Sequence, residues 1–180
     1  MEAVLMSIQP KWVEKIANGE KTIEVRKTAP KIETPFKCYI YMTNTHTKIS
    51  LSKDNYAEEI TVAKKLSGSC GKVISEFVCD KVKTFNYITK RLDNCEYKAY
   101  NIHNTDLAEM CLSKSEVWEY GKGKSLYGLH ISNFTIYDTP KELGEFKGRT
   151  LVWRGMNHIR VFDNMTRPPQ SWCYVEELSI

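Results

Sequence analysis

The sequence predicts an α+β domain: a partly open, mixed β-barrel of five to six short strands with short helices at its periphery. Three observations lead there. Short segments with period-two or two-sided apolar patterning recur along the chain. Between them stand brief stretches of helical period that carry their own start and stop residues. And 180 residues with 42% hydrophobic content suffice for one ordinary core.

The elements follow in order. Ala3 to Ile8 reads as a first strand, Pro10 occupies a first helical position, and Lys11 to Asn18 carries apolar residues at helical spacing until Gly19 stops it. The octapeptide Gly19 to Arg26 then places three charges of mixed sign on a β-type stretch: Thr22, Glu24 and Arg26 share one face, Ile23 and Val25 the other, with Lys21 at its start. On spacing alone Glu24 and Arg26 read as a surface ion pair. Thr28 to Pro35 is a loop leading to a half-buried strand over Lys37 to Thr43, with Cys38, Ile40 and Met42 facing inward and Tyr39 and Tyr41 on an aromatic outer face. An insertion over Asn44 to Ser69 contains a short helix at Tyr56 to Leu66.

Gly71 to Val82 is a central strand, apolar on both faces, with Val73, Phe77 and Cys79 opposite Ile74, Glu76 and Val78. Thr105 to Leu112 is helical and restarts at Ser113, whose spacing to Glu116 is that of a capping box; Gly121 ends the second piece. Leu126 to Ser132 is a strand that Phe134 to Tyr137 continues or pairs with, and Thr139-Pro140 reads as a further helix start. Arg167-Pro168-Pro169 is extended, and Trp172 to Val175 is a final edge strand that seals the barrel.

Composition narrows the function classes. Lys and Arg outnumber Asp and Glu by 26 to 22, a net charge of +4 that is compatible with polyanions without demonstrating one. No stretch reaches the length needed to cross a bilayer and no basic segment precedes an apolar run at the start, so the expectation is a soluble cytoplasmic protein with no membrane partner. The six cysteines, Cys38, Cys70, Cys79, Cys95, Cys111 and Cys173, are scattered without a Cys-x-x-Cys pair and read as reduced. The four histidines are equally dispersed, so no metal centre is expected, and no motif implies a cofactor.

The segment after Phe146 is set apart by its charge. Between Lys147 and Arg167, five cations stand against Asp163 alone, a local excess equal to the net charge of the whole chain. Trp153 and Phe162 interleave with Arg149, Arg154 and Arg160. Arginine beside aromatics suits a phosphate backbone and splayed bases. The same aromatics equally suit anchors that lash an extended tail to the core.

The pattern Gly-x-Lys-x-x-Glu-x-Arg at Gly19, Lys21, Glu24 and Arg26, following a strand and a Pro-led helix, resembles the signature of the ASCH domain, a branch of the PUA-like superfamily. Met6 to Pro10 with Glu14-Lys15-Ile16 is similar to the opening of that family, Gly71 to Phe77 to its next barrel strand, and Tyr127 to Ser132 to its closing strand. The similarity spans residues 1–146, which the resemblance marks as a PUA-like domain. Residues 147–180 are a C-terminal extension packed on it.

The resemblance implies binding of RNA or a nucleoside-type ligand in the cleft beside the first helix. Lys21 and Arg26 would meet phosphate or a base edge, and Glu24 would accept from an exocyclic amino group. Trp12 and Tyr41 are candidate stacking residues, and Arg154 a further contact from the extension. It also implies an alternative, since some small ASCH-like proteins are amidohydrolases acting on N4-acetylcytidine through a lysine, a threonine and a glutamate. Lys21 matches the lysine, but Glu24 stands where the threonine belongs, Thr22 is offset by two, and Glu109 is the nearest glutamate by order. With Lys21 stabilising an oxyanion and Glu24 activating water, an amidohydrolase or ribonuclease remains open, as does a regulatory role. Of the four histidines, His130 borders the cleft or, as the simpler reading, is a satisfied core residue. No sequence feature points to an oligomeric state.

Overall fold

The computed structural model describes residues 1–44, 66, 68–92, 95–154 and 157–178. The helix expected at Tyr56 to Leu66 lies outside them apart from Leu66 itself, which is buried in the core. The described elements are β1 (Glu2–Ile8), α1 (Pro10–Ala17), β2 (Ile23–Arg26), β3 (Phe36–Met42), β4 (Val73–Phe85), β5 (Tyr87–Leu92), β6 (Cys95–Tyr100), α2 (Asn104–Met110), α3 (Lys114–Gly121), β7 (Leu126–Lys141), β8 (Lys147–Arg154), β9 (Asn157–Asn164) and β10 (Trp172–Glu176).

The opening unit forms for the reasons its residues suggest. Pro10 occupies the first turn of α1, Val13 and Ile16 bury one helix face, and Gly19 takes φ +74°, a conformation that suits glycine, just past the helix end. The backbone N–H of Lys21 donates to Lys15 O at 3.0 Å, folding the chain back from helix to strand.

Among the described residues eight strands make one mixed sheet in the order β2-β7-β4-β3-β1-β10-β8-β9, and β5 pairs only with β6. All neighbours are antiparallel except β1 and β3. The ladder does not close: β2 ends it on one side and β9 on the other, so the expected barrel is an open sheet among the described residues. The strand count exceeds the expected five to six because the extension supplies three strands and β5 and β6 form a separate hairpin.

Three apolar clusters sit on this frame. The first, under α1, gathers Val4, Met6, Val13, Ile16, Ile40 and Phe77. The second, on the other face of the sheet, holds Leu5, Tyr39, Tyr41, Val73, Phe146 and Val175. The third places Ile23, Val25, Phe85 and Leu126 against Met110 and Val117 of the later helices. Gly128 makes the third cluster's close approach possible, since a Cβ there would lie 2.7 Å from both Ile23 and Phe85.

Several expectations are corrected here. Tyr39 and Tyr41 do not form an outer face: both are buried, because the tail covers that side of β3. Val73 and Ile74 exchange faces relative to simple alternation, since register shifts beside them insert a bulge. Thr139-Pro140 starts no helix and continues β7 instead. The pairing with β2 ends at His130, so one side of β7 is open there and tolerates a residue without an N–H. The cap falls to Glu142, before a single 3₁₀ turn at Leu143–Glu145. β10 is interior, flanked by β1 and β8 rather than at an edge.

One carboxylate outside the core fixes α2. The Asp106 side chain accepts from Lys83 Nζ of β4 at 2.7 Å and from the His103 backbone N–H at 3.2 Å. Burial pushes this carboxyl up, but those two donors outweigh it and hold it below its ordinary 3.8. A carboxylate depressed by folding contributes stability in full above its unfolded-state value and loses it as pH falls through the folded-state value. The expected result is an acid-sensitive docking of α2 below about pH 4. Asp106→Asn should flatten that limb of a stability-against-pH curve, and an unchanged limb would place the sensitivity elsewhere.

Candidate functional site

The charged residues of the octapeptide converge. Glu24 Oε1 lies 3.1 Å from Arg26 Nη2, and Glu24 Oε2 lies 3.4 Å from Lys21 Nζ. With Lys21 only 3% exposed, Glu24 6% and Arg26 8%, the surface ion pair read from spacing is replaced by a buried triad. The shelter comes from segments distant in sequence. Lys21 Nζ donates to Ile23 O and to Met110 O, both at 2.8 Å, so the ammonium joins the end of α2 to the start of β2. Arg26 Nη2 donates to Ser7 O of β1 at 2.9 Å. Each carboxylate oxygen of Glu24 retains lone-pair capacity beyond its cation.

The triad forms part of the wall of a cleft of about 1030 Å³. Its walls come from the end of β1 (Ser7, Ile8), from Trp12 of α1, from Glu116, Glu119 and Tyr120 of α3, and from Gln170 and Ser171 ahead of β10. Arg26 Nε and Thr43 Oγ1, both on cleft-lining residues, are buried with no hydrogen-bond partner among the described residues. Such groups are costly to leave unpaired.

Two aromatic rings stand in the lining, each met by lysines. Lys11 Nζ and Lys21 Nζ lie 4.6 and 5.2 Å from the Trp12 ring centroid, and Lys27 Nζ lies 4.9 Å from that of Tyr120. Burial pushes the Tyr120 phenol up, Arg26 pulls it down and Glu24 pushes it up again. The Ser113 backbone N–H, followed by its hydroxyl, holds the Glu116 carboxyl below its ordinary value. In charge the lining is balanced, with Lys21, Arg26 and Lys27 against Glu24, Glu116 and Glu119.

Of the residues singled out from sequence, Trp12, Lys21, Glu24 and Arg26 line this cleft. Tyr41 packs in the second cluster instead, while Glu109 is directed to Lys83 at 3.8 Å; neither lines it, nor does Thr22. Arg154 ends β8, and its side chain lies outside the described residues. His130 is half exposed rather than in the core, its Nδ1 2.6 Å from Asp80 Oδ1, and this hydrogen bond is the leading cause that lowers the Asp80 carboxyl. Tyr120, Lys27 and Gln170 were not legible as site residues, because only the packing of α3 and the tail against β2 brings them together. Among the described residues no group of three or more His, Cys, Asp or Glu could hold a metal ion, and no helix is long and apolar enough to cross a membrane. All six cysteines are free.

No protein-family model matches the chain, and no curated protein matches it. Solved structures do. The ASCH protein of Zymomonas mobilis is 16% identical with a TM-score of 0.53, over 94% of this chain and 85% of that one. A tyrosine-to-phenylalanine variant of that protein is 15% identical at 0.52, over 94% and 87% of the two chains. A serine-to-alanine variant is likewise 15% identical at 0.52, over 94% and 85%. The likeness runs through nearly the whole chain at low identity, and the fold of this protein is that of the ASCH domain.

Proposed function

We propose that this ASCH-fold protein binds a nucleobase-containing ligand, RNA or a nucleoside, in the cleft between α1, β2 and α3. The observation that carries the reading is a buried carboxylate, Glu24, held between two cations in the wall of a cleft that also presents two aromatic rings. In this reading Glu24 accepts from an exocyclic amino group, as acidic side chains accept from cytosine N4. Arg26 and Lys21 fix its position and charge. A base stacks on Trp12 or Tyr120 by displacing Lys11 or Lys27, which are exposed and regain full hydration on leaving. Charge balance in the lining favours a base edge over a phosphate cluster as what the cleft itself reads.

Titration of the protein with cytidine and with a short single-stranded RNA tests the proposal. Trp12→Leu keeps an apolar contact with the first cluster but removes the ring, and Tyr120→Leu removes the half-exposed ring on the other wall. Each is expected to weaken binding by about tenfold, the scale of one lost base–aromatic stack, with melting curves close to the parent. Absence of binding by the parent, or unchanged affinity in both variants, would overturn the reading. Separating the same mixtures by mass, with N4-acetylcytidine included, reports any turnover directly.

A further inference from the structure

The hairpin of β8 and β9 stands out from the sheet. Among the described residues its one register pair with β10 is Gly148 with Val175, at the hairpin base. Beyond it the two strands pair only with each other, from Lys147 with Asn164 to Arg154 with Asn157. Directly opposed residues share a face. One face therefore carries the pairs Arg149–Phe162, Leu151–Arg160 and Trp153–His158, whereas Asp163, the single acid of the segment, lies on the other with Thr150. Leu151 and Trp153 are 65% and 66% exposed, and the Trp153 and His158 rings meet at a 41° tilt with centroids 3.7 Å apart. Arg160 is exposed and makes no ion pair among the described residues. Arg149 and Lys147, nearer the base, are paired with Glu2 and Glu176.

This face continues the side of the sheet that holds the cleft. Arg149 lies over the Tyr174 ring at 3.6 Å, and Tyr174 packs edge-on against Trp172 with centroids 5.2 Å apart. Both aromatics pack against the first cluster, and Trp172 Nε1 donates to Thr28, which lines the cleft. β8 and β1 are both antiparallel to β10, so β8 runs toward the end of β1 where Ser7 and Ile8 line the cleft.

We infer that the β8–β9 hairpin is a second binding surface, for the sugar–phosphate backbone and flanking bases of a single-stranded nucleic acid. Trp153 supplies the stacking platform and Arg160 a phosphate contact. The inference rests on the reading of the cleft above and deepens it: the ligand is an oligonucleotide rather than a free nucleoside. Chemistry divides between the two surfaces. The cleft lining is charge-balanced and suits a base, whereas the extension holds the cations that phosphates require. A protein partner would be served by the exposed apolar side chains of Leu151, Val152 and Trp153 alone, but it gives no role to Arg160, which is exposed beside them without an ion pair among the described residues.

The experiment uses the full chain, labelled oligouridine RNA and the DNA counterpart of about twelve nucleotides, within the range of single-strand site sizes, and free cytidine. Trp153→Ala and Arg160→Ala are compared with the parent across a salt series. Both side chains are exposed, so melting curves should overlay. The oligomer should bind the parent more tightly than cytidine does. Trp153→Ala should weaken it by about tenfold, and Arg160→Ala should reduce the salt slope by about one, with cytidine binding unchanged in both. Hairpin dependence with RNA or with DNA supports the inference, and the stronger of the two names the polymer. Oligomer binding that ignores both hairpin substitutions while responding to Trp12→Leu would overturn the hairpin and leave the cleft intact. Hairpin-dependent oligomer binding with no cytidine binding would do the reverse. Trp153-dependent binding to phosphatidylserine vesicles in place of oligomer would overturn it in favour of a lipid surface.

Discussion

Lys21→Met is expected to destabilise the protein by about 3–5 kcal/mol, the scale for breaking a buried ion pair by removing one partner. At this chain length that lowers the melting temperature by roughly ten degrees. Methionine fills the volume of the lysine stem but cannot donate. The carbonyls of Ile23 and Met110 lose their shared donor, and Glu24 keeps Arg26 as its remaining cation. Because Met110 ends α2, the loss reaches the third cluster as well as the site. Adding Glu24→Gln should deepen the loss, since it strips the buried Arg26 guanidinium of its carboxylate partner among the described residues. Thermal melts of the two variants check this, and a single variant melting within a degree or two of the parent would show that the ammonium does not hold the triad. The same reasoning explains why ligand binding is better probed at Trp12 and Tyr120: a Lys21 variant that fails to bind has also lost structure.

Phe146→Ala should cost a similar amount, about 3–5 kcal/mol for truncating a fully buried aromatic. The ring is fully enclosed in the second cluster and meets Tyr39 edge-on with centroids 5.0 Å apart. Its carbonyl accepts from Met165 N–H at 2.8 Å, which ties the return of the hairpin to its departure. Tyr39 in turn accepts from the Leu178 N–H, so one aromatic pair anchors both ends of the tail. Denaturant unfolding measures the loss. Amide exchange should show β8, β9 and β10 losing protection together, and retained protection in those strands would mean that the tail is held by something other than this pair.

The sequence makes the local half of this fold readable and conceals the long-range half. The β1–α1–β2 unit is legible because Pro10 and Gly19 carry their conformational preferences with them, and the capping box of Ser113 and Glu116 forms as its spacing indicates, with Glu116 Oε2 accepting from the Ser113 N–H at 2.8 Å. Lys21, Glu24 and Arg26 could be found as a group for the same reason. That they are buried could not, because the shelter depends on a carbonyl at Met110 and another at Ser7. Tyr41 looked outward-facing because alternation assigns a strand two sides without saying whether both are covered. Thr139-Pro140 obeys a helix-start rule that competes with an equally good rule for a strand with one open side, and only the end of β2 decides between them.

After Phe146 the β8–β9 hairpin forms the outer end of the sheet, joined to β10 through the Gly148–Val175 pair at its base, and the chain then returns at β10 to pair with β1. Topologically it is a detour, and the pairing of β10 with β1 is indifferent to how long that detour is. Such an appendage can be shortened, extended or exchanged for another sequence while the pocket chemistry is preserved. Selection, or an engineer, can therefore rewrite the hairpin without renegotiating the core.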